Sequence, residues 1–490
     1  MRSQMPILLK DGYKVGHRPQ YPSDTLLVYS NMTPRKSRID GVGGVVTFGM
    51  QYFIQEYLLD QFAEGFFNKP KDDIMRAYKR RINAYLGPDA ITFDHIADLH
   101  DLGYLPLQIK SVPEGTIVPF RVPQFTIRNT RDEFFWLTNM LETLLSNVLW
   151  LPSTSATTAF RYRQVFDRYA RATGADLAFV PWQGHDFSMR GMAGIEAAAM
   201  SGAAHLLSFT GTDTVPAIEF LERYYGADCE RELVGGSVPA TEHSVMSMGM
   251  KDNELETFRR LIVEVCPKGV LSVVSDTWDF WKVLLEYLPA LKSTILARDG
   301  KLVIRPDSGD PVKIICGDPD ANTKWEYKGA VRVLWELFGG TLTSNGYKVL
   351  DSHIGLIYGD SITPERQVEI LSRLEADGFA SSNVVLGLGS YTYQYVTRDT
   401  YGFAMKATYG ETESRGGQAI YKDPKSDDGT KKSASGLLCV TDDLEMGIHL
   451  EENCTWETEK TGLLQTVFLD GVPSNIQTLA QIRALLESQR

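Results

Sequence analysis

From about residue 177 to residue 391 the chain repeats one unit: an uninterrupted apolar run, a polar tip, then a helical pattern. "LLSF" (206–209) runs into "TGTDT" and the helical "VPAIEFLERYYG". "GVLSVVS" (269–275) runs into "DTWD" and "FWKVLLEYLPALK". "KLVI" ends in "RPDSGDP", with the helical "GAVRVLWELF" beyond it. "HIGLIY" ends in "GDSIT" before "PERQVEILSRLEADGF", and "NVVLGL" ends in "GSYTYQ". Continuous β-branched runs are strands buried on both faces, and parallel strands need long crossovers, so the rhythm predicts right-handed βαβ units around a parallel sheet. The fold class is α/β, and an irregular (β/α) barrel accounts for the rhythm better than an open sheet. Ligands of such folds bind at the carboxyl ends of the strands. Every polar motif of this stretch falls there.

The flanks break the rhythm. Residues 1 to about 150 mix a strand ("SDTLLVYSNMTPR"), an amphipathic helix ("GMQYFIQEYLLDQFAEGF") and short strands cut by Pro and Gly. Long helices are expected over 133–150 and 155–172. The tail carries a polar loop, "KDPKSDDGTKKSASG" (422–436), then a hairpin, "TGLLQTVFLDGVP", and a terminal helix, "NIQTLAQIRALLESQ".

Totals remove several classes. A length of 490 residues predicts two or three domains, and a formal charge of −12 argues against a general nucleic-acid or membrane-surface binder. Five scattered cysteines without a CxxC spacing read as a reduced cytosolic chain, so a cytoplasmic location is expected. Eight histidines without an HExxH pair argue against a histidine-held metal. No apolar run approaches the ~20 residues of a membrane span, and the first residues are too short an apolar stretch for a secretory signal.

The tips carry the chemistry. In "LVIRPDSGDP" Pro306 keeps Arg305 extended, so Arg305 and Asp307 share a face, suiting a ligand with an anionic end and hydroxyls. An internal ion pair closing a βα turn is the alternative. Asp276, Asp279, Asp307, Asp310 and Asp360 supply carboxylates, and Gly309, Gly359, Gly387 and Gly389 let backbone come close. Such tips hold ribose hydroxyls, Mg²⁺ or phosphate; for any single aspartate the competing role is a helix N-cap. Phe187 in "HDFSMRG" (185–191) stands between His185–Asp186 and Arg190, placed either in the core or against a flat heteroaromatic ligand. His243 in "TEHS" (241–244), beside Glu242, reads either as a surface residue or as a histidine oriented by a carboxylate to act as base or nucleophile.

Taken in order, "DGYKVGHRPQYP", "HDFSMRG", "FTGTDTV", "SVPATEHS", "SVVSDTWD", "IRPDSGDP", "YGDSI", "VTRDTYGFAMKAT", "KDPKSDDGTKKSASG" and "LLQTVF" resemble the nicotinate/nicotinamide phosphoribosyltransferase family over nearly the whole chain. The resemblance implies a barrel domain (151–391) and a second mixed α+β domain built from both chain ends (1–150 and 392–490), the latter making dimer and phosphate contacts. It further implies a homodimer with shared active sites. The implied reaction joins nicotinamide to 5-phosphoribosyl-1-pyrophosphate, with Mg²⁺ as cofactor and ATP as coupled co-substrate.

Residue by residue, the resemblance puts Phe187 on one face of the pyridine and the partner's Tyr13 on the other. Arg190 and Arg305 line the base pocket, and Asp213 accepts from the carboxamide. Ser275 and Gly389 also contact substrate; Asp307, Gly359 and Asp360 hold the ribose; Asp279 and Asp307 lie near Mg²⁺. Arg398, with Arg35, Lys406 and Lys422 across the dimer, surrounds the phosphates, and His243 is the histidine phosphorylated by ATP. Nicotinate relatives carry an uncharged pair in the corresponding "GTS" motif, so "GTDT" favours nicotinamide, an N-cap role for Asp213 being the alternative. Nicotinate phosphoribosyltransferase activity is the nearest rival, and a non-catalytic binding relative the more distant one. Ser390 and Tyr391 interrupt the glycine run usual after the last barrel strand, and Ser188 and Met189 depart from the usual "HDF" motif.

Overall fold

The computed structural model describes residues 4–359, 361–426 and 431–490. The chain forms two compact units, one of Thr158–Glu219 with Asp228–Tyr395, the other of the residues up to Thr157 with Phe220–Ala227 and Val396–Arg490.

The first unit holds six parallel strands: β1 (Gly184–Asp186), β2 (Gly211–Thr212), β3 (Lys268–Val274), β4 (Asp299–Arg305), β5 (Ile354–Tyr358) and β6 (Val384–Leu388). Their order is β2-β1-β6-β5-β4-β3. The sheet curls until a single short segment reaches both edges. Thr212 N–H donates to the Gly236 carbonyl (3.0 Å), and Ser272 N–H donates to that of Pro239 (2.9 Å). Gly236 thereby pairs with Gly211, and Ala240 with Ser272.

Side-chain alternation decides what each face does. Leu271, Val273, Leu302, Ile304, Tyr358, Leu386 and Leu388 are buried outward in the core shared with the helices. Each such aliphatic side chain contributes about 1.5–3 kcal/mol. The opposite face carries Val270, Ser272, Lys301, Val303, Gly355, Ile357 and Val385, which line a cavity of about 390 Å³. Small residues on that face leave the bore of the sheet open.

Two readings of the sequence differ from the fold. "LLSF" is no strand: helix Ile195–His205 runs up to it, and the strand shrinks to the two residues of β2. Leu206, Leu207 and Phe209 are buried all the same, and a short apolar run cannot tell a helix end from a strand by periodicity. The expected helices over 133–150 and 155–172 are instead Phe135–Met140 and one helix, Glu142–Thr173, with Pro152 inside it.

The second unit is built on an antiparallel sheet in the order Gly416–Ala419, Ala404–Thr412, Thr25–Thr33, Phe125–Asn129, Leu107–Ser111, Gln465–Leu469, Val472–Pro473. Strand Thr25–Thr33 pairs with Ala404–Thr412, joining the two ends of the sequence. Helix Leu479–Ser488 follows the tail hairpin and is opened by a reciprocal Thr478–Gln481 cap. Among the described residues no helix is long and apolar enough to cross a membrane.

Candidate active site

At the tip of β1 the backbone of Phe187 still pairs with β6, its N–H donating to the Leu388 carbonyl (3.0 Å). Asp186 is fully buried and accepts from Ser188 N–H (2.9 Å), which fixes the turn beyond the ring. Phe187 lies 4.5 Å from the His185 ring, centroid to centroid. The glycines opposite are there for space. A Cβ on Gly387 would stand 2.6 Å from the Phe187 ring, and one on Gly359 would stand 2.4 Å from Asp307 Oδ1. Asp307 and Phe187 therefore converge on the same glycine-lined gap between β5 and β6.

Asp213 follows β2 and lines the cavity with His185, Phe187, Ser237 and Arg305. Its Oδ1 accepts from His185 Nε2 (2.8 Å) and from Ser237 Oγ (2.8 Å). Burial pushes its carboxyl upward, but the bond and charge of His185, the Ser237 hydroxyl and the Arg305 charge outweigh it and hold it below the usual range. The site thus offers a fixed carboxylate beside an aromatic face. His185 and Ser237 were not singled out in the sequence as partners of Asp213; they lie 28 and 24 residues from it, and only the strand order joins them.

The "RPDSGDP" turn is held by a carboxylate at the tip of the neighbouring strand. Asp276 Oδ2 accepts from the N–H groups of Asp307 (2.8 Å) and Ser308 (2.7 Å). Gly309 supplies a left-handed residue at φ 93°, and Asp310 caps helix Pro311–Cys316 by accepting from Val312 and Lys313 N–H. Arg305 donates through its NH2 group to the Thr241 carbonyl (2.8 Å), while its buried Nε has no hydrogen-bond partner. His243 opens the short helix His243–Met248, and its side chain is about half exposed. Its Nε2 lies 3.4 Å from Asp276 Oδ1, so the carboxylate beside it is Asp276 and not Glu242. Glu242 instead accepts from the Ser244 hydroxyl.

Other candidates are distributed as follows. Asp279 caps helix Phe280–Lys282, accepting from Lys282 N–H (3.1 Å). Ser275 is fully buried with its hydroxyl donating to the Val273 carbonyl (2.7 Å), off the cavity wall. Arg190 is exposed in the turn Met189–Gly191. Gly389 faces open space, and Asp360 lies outside the described residues. Among the described residues no three His, Cys, Asp or Glu side chains gather as a metal cluster.

The second unit carries a cluster of cations of its own. Burial lowers the pKa of Lys406, the charges of Arg35, Lys422 and Lys14 add to that effect, and Glu142 opposes it. Lys14, unassigned in the sequence reading, is a buried member of this cluster and pairs with Glu142 at 2.6 Å. Arg35 Nε donates to the Gly402 carbonyl (3.0 Å), and Arg398 pairs with Asp399 at 3.1 Å. Lys422 is exposed, as is Tyr13, which lies edge-on to His17.

A carboxylate and a guanidinium beside an aromatic face suit a flat polar heterocycle; glycine-lined carboxylates suit hydroxyls; a cation cluster suits phosphate.

Comparison with known proteins bears on this combination. The chain matches the model of the nicotinate phosphoribosyltransferase (NAPRTase) family over residues 182–471, and that of the nicotinamide phosphoribosyltransferase N-terminal domain over residues 6–109. It is 54% identical to a nicotinamide phosphoribosyltransferase of Acinetobacter baylyi, over 99% of this chain and 97% of the relative. It is 32% identical to the protein of the same name from Xanthomonas campestris, over 99% and 98%. In fold it matches a nicotinate-nucleotide pyrophosphorylase from Pyrococcus furiosus, with TM-score 0.59 and 14% identity over 98% of this chain and 94% of the other. The human nicotinic acid phosphoribosyltransferase follows, with TM-score 0.52 and 15% identity over 98% and 93%. With the strand-tip site, the cation cluster and these matches together, the chain belongs to the nicotinate phosphoribosyltransferase family of enzymes.

Proposed function

We propose that the protein transfers the phosphoribosyl group of 5-phosphoribosyl-1-pyrophosphate to nicotinamide, giving nicotinamide mononucleotide and pyrophosphate in NAD salvage. The observation that carries this reading is Asp213. Its two donors, His185 and Ser237, both address Oδ1 of a residue that lines the cavity, which leaves Oδ2 to accept from a carboxamide N–H. Nicotinate would bring a second negative charge to that oxygen, and sites built on such a pairing reject the mismatched analogue strongly.

The ring nitrogen is the nucleophile, so no protein nucleophile is needed for the transfer. Phe187 orients the ring against one face, with the partner subunit's Tyr13 on the other, and Arg305 and Arg190 complete the base pocket. Asp307, leaning over Gly359, holds ribose hydroxyls while the anomeric carbon develops positive charge, with Asp360 and Gly389 as further contacts. Arg398, with Arg35, Lys406 and Lys422 supplied across a homodimer, stabilises the phosphates. Ser275 acts indirectly: its N–H donates to the Arg305 carbonyl (3.0 Å).

The carboxylates fit a magnesium ion that arrives with its diphosphate, because Mg²⁺ takes one or two carboxylates and substrate phosphates in place of a complete protein cage. Asp279 and Asp307 would hold it. Asp276 stands at the same tips, and its buried Oδ1, with His243 Nε2 at 3.4 Å, supports acceptor capacity there. Held by these carboxylates, Mg²⁺ would supply positive charge beside the diphosphate leaving group.

ATP coupling falls to His243. An Nε2–H directed at Asp276 leaves Nδ1 with the lone pair on a half-exposed ring, the state a phosphoryl acceptor needs. A cytoplasmic location suits this chemistry, whose substrates are soluble metabolites.

The test is mononucleotide formation by the purified protein with Mg²⁺ and phosphoribosyl pyrophosphate, offering nicotinamide or nicotinate, each with and without ATP. Product from nicotinamide, raised by ATP in the wild type but not in His243→Ala, is expected. Product mainly from nicotinate would overturn the substrate assignment.

A further inference from the structure

We propose that His185 and Ser237 are positioning residues that set the choice between an amide and an acid, through Asp213. The inference rests on reading Asp213 as the acceptor of the substrate carboxamide. Its starting point is the unusual concentration of donors on one oxygen. A carboxylate at the end of a two-residue strand, with a substantially exposed side chain, would ordinarily rotate about χ1 and χ2 and present either oxygen. Here two donors from different elements, His185 on β1 and Ser237 on the edge-joining segment, meet the same Oδ1 at 2.8 Å. The carboxylate is thereby restrained, and Oδ2 of this cavity-lining residue is left as the acceptor for a ligand.

The donors also decide which analogue can bind. Nicotinate could occupy the pocket if Asp213 took up a proton, since the acid form would donate to the ligand's carboxylate. The charged groups facing Asp213 are His185 from β1 and Arg305 from β4, and Ser237 is the neutral donor. All three favour the ionised form; only burial opposes them. Losing either donor both frees the rotation and eases protonation, so rejection of nicotinate weakens and does so more in acid.

The position of His185 allows its two contributions to be separated. Its ring packs under Phe187, and a Cβ on Gly211 would lie 2.7 Å from its Nδ1, so the imidazole is wedged between the aromatic face and β2. His185→Phe keeps a ring beneath Phe187 and removes the donor. His185→Gln loses the ring and keeps an N–H near the position of Nε2. Ser237 is exposed, so Ser237→Ala disturbs folding least.

The experiment measures kcat/KM for nicotinamide and for nicotinate at about pH 6 and about pH 8 for the wild type, these three variants and Asp213→Asn. His185→Phe is expected to lower the nicotinamide-to-nicotinate ratio about tenfold or more, mainly through the KM for nicotinamide, with the larger drop in acid. Ser237→Ala lowers it about threefold in the same direction, and His185→Gln restores most of the ratio. An unchanged ratio in both His185→Phe and Ser237→Ala, alongside a collapsed ratio in Asp213→Asn, overturns the role of the donors and leaves the substrate reading intact. An unchanged ratio in Asp213→Asn overturns both. Should His185→Phe fail to fold, Ser237→Ala alone decides by the same criterion.

Discussion

The two proposed binding regions are built by opposite means. In the barrel unit Asp213 is held by His185 and Ser237, Asp307 and Ser308 through their N–H groups by Asp276, and Arg305 by the Thr241 carbonyl, while glycines leave just the room that Phe187 and Asp307 fill. In the terminal unit the proposed phosphate ligands are long cations, two of them exposed, and the pKa of Lys406 is lowered first by burial and then by the charges of its cationic neighbours. A neutral flat ring offers few strong contacts, so its binding must come from geometry fixed in advance. A phosphate brings its own charge and orders flexible side chains on arrival. Rigid placement is needed only where the ligand cannot pull.

That contrast can be broken first at Gly387. A Cβ there reaches 2.6 Å from Phe187 and 2.8 Å from the Gly359 Cα. Gly387→Ala should cut kcat/KM by about a hundredfold or more, equally at low and high salt, since it displaces fixed geometry. Steady-state kinetics at two ionic strengths read this directly. Lys406→Gln should be milder and different in kind. The KM for phosphoribosyl pyrophosphate should rise about tenfold, and the loss should shrink as salt rises. A salt-independent Lys406→Gln defect would mean that this cluster is as rigidly built as the base pocket.

The smallest effect concerns a buried histidine beside β2. His205 is fully buried, with Nδ1 2.7 Å from the Tyr393 hydroxyl (Oη) and Nε2 3.0 Å from the Gly211 carbonyl. Burial brings its pKa down to about 4, against a weaker upward pull from Asp186. Between about pH 4 and about pH 6.5 the unfolded chain therefore binds the extra proton, so stability rises with pH across that window and is lost on acidification. The change should be on the order of 2 kcal/mol, and His205→Gln should flatten it in urea melts taken at several pH values. Lys406 lies in the other unit and should leave that acid slope untouched.

The parallel architecture was legible because strands buried on both faces write continuous apolar runs: β3, β4, β5 and β6 all stand where those runs predicted them. β1 and β2 were not legible. With three and two residues they carry no periodicity, and "LLSF" forms the turn that follows a helix. At the site, the motif residues were visible as types, but their partners were not. Asp276 was visible only as one carboxylate among five, yet it holds both the "RPDSGDP" turn and the neighbourhood of His243. Glu242, adjacent in sequence to His243, turns instead to Ser244. Adjacency along the chain is a poor guide where neighbours alternate sides, whereas strand tips of distant sequence meet by construction.

The segment that joins the two edges of the barrel sheet also limits how this protein can change over evolutionary time. Within six residues, Gly236 pairs with β2, Ser237 reaches Asp213, Ala240 pairs with β3, and Thr241 accepts from Arg305 through its carbonyl and from Val274 N–H through its hydroxyl. His243 follows two positions later. In extended chain a shift of one residue turns every side chain to the opposite side. A single insertion here would point Ser237 away from Asp213 and break the pairing with one edge of the sheet. Drift in substrate choice through this segment thus cannot be separated from drift in the fold, and the segment should accept substitutions but neither insertions nor deletions.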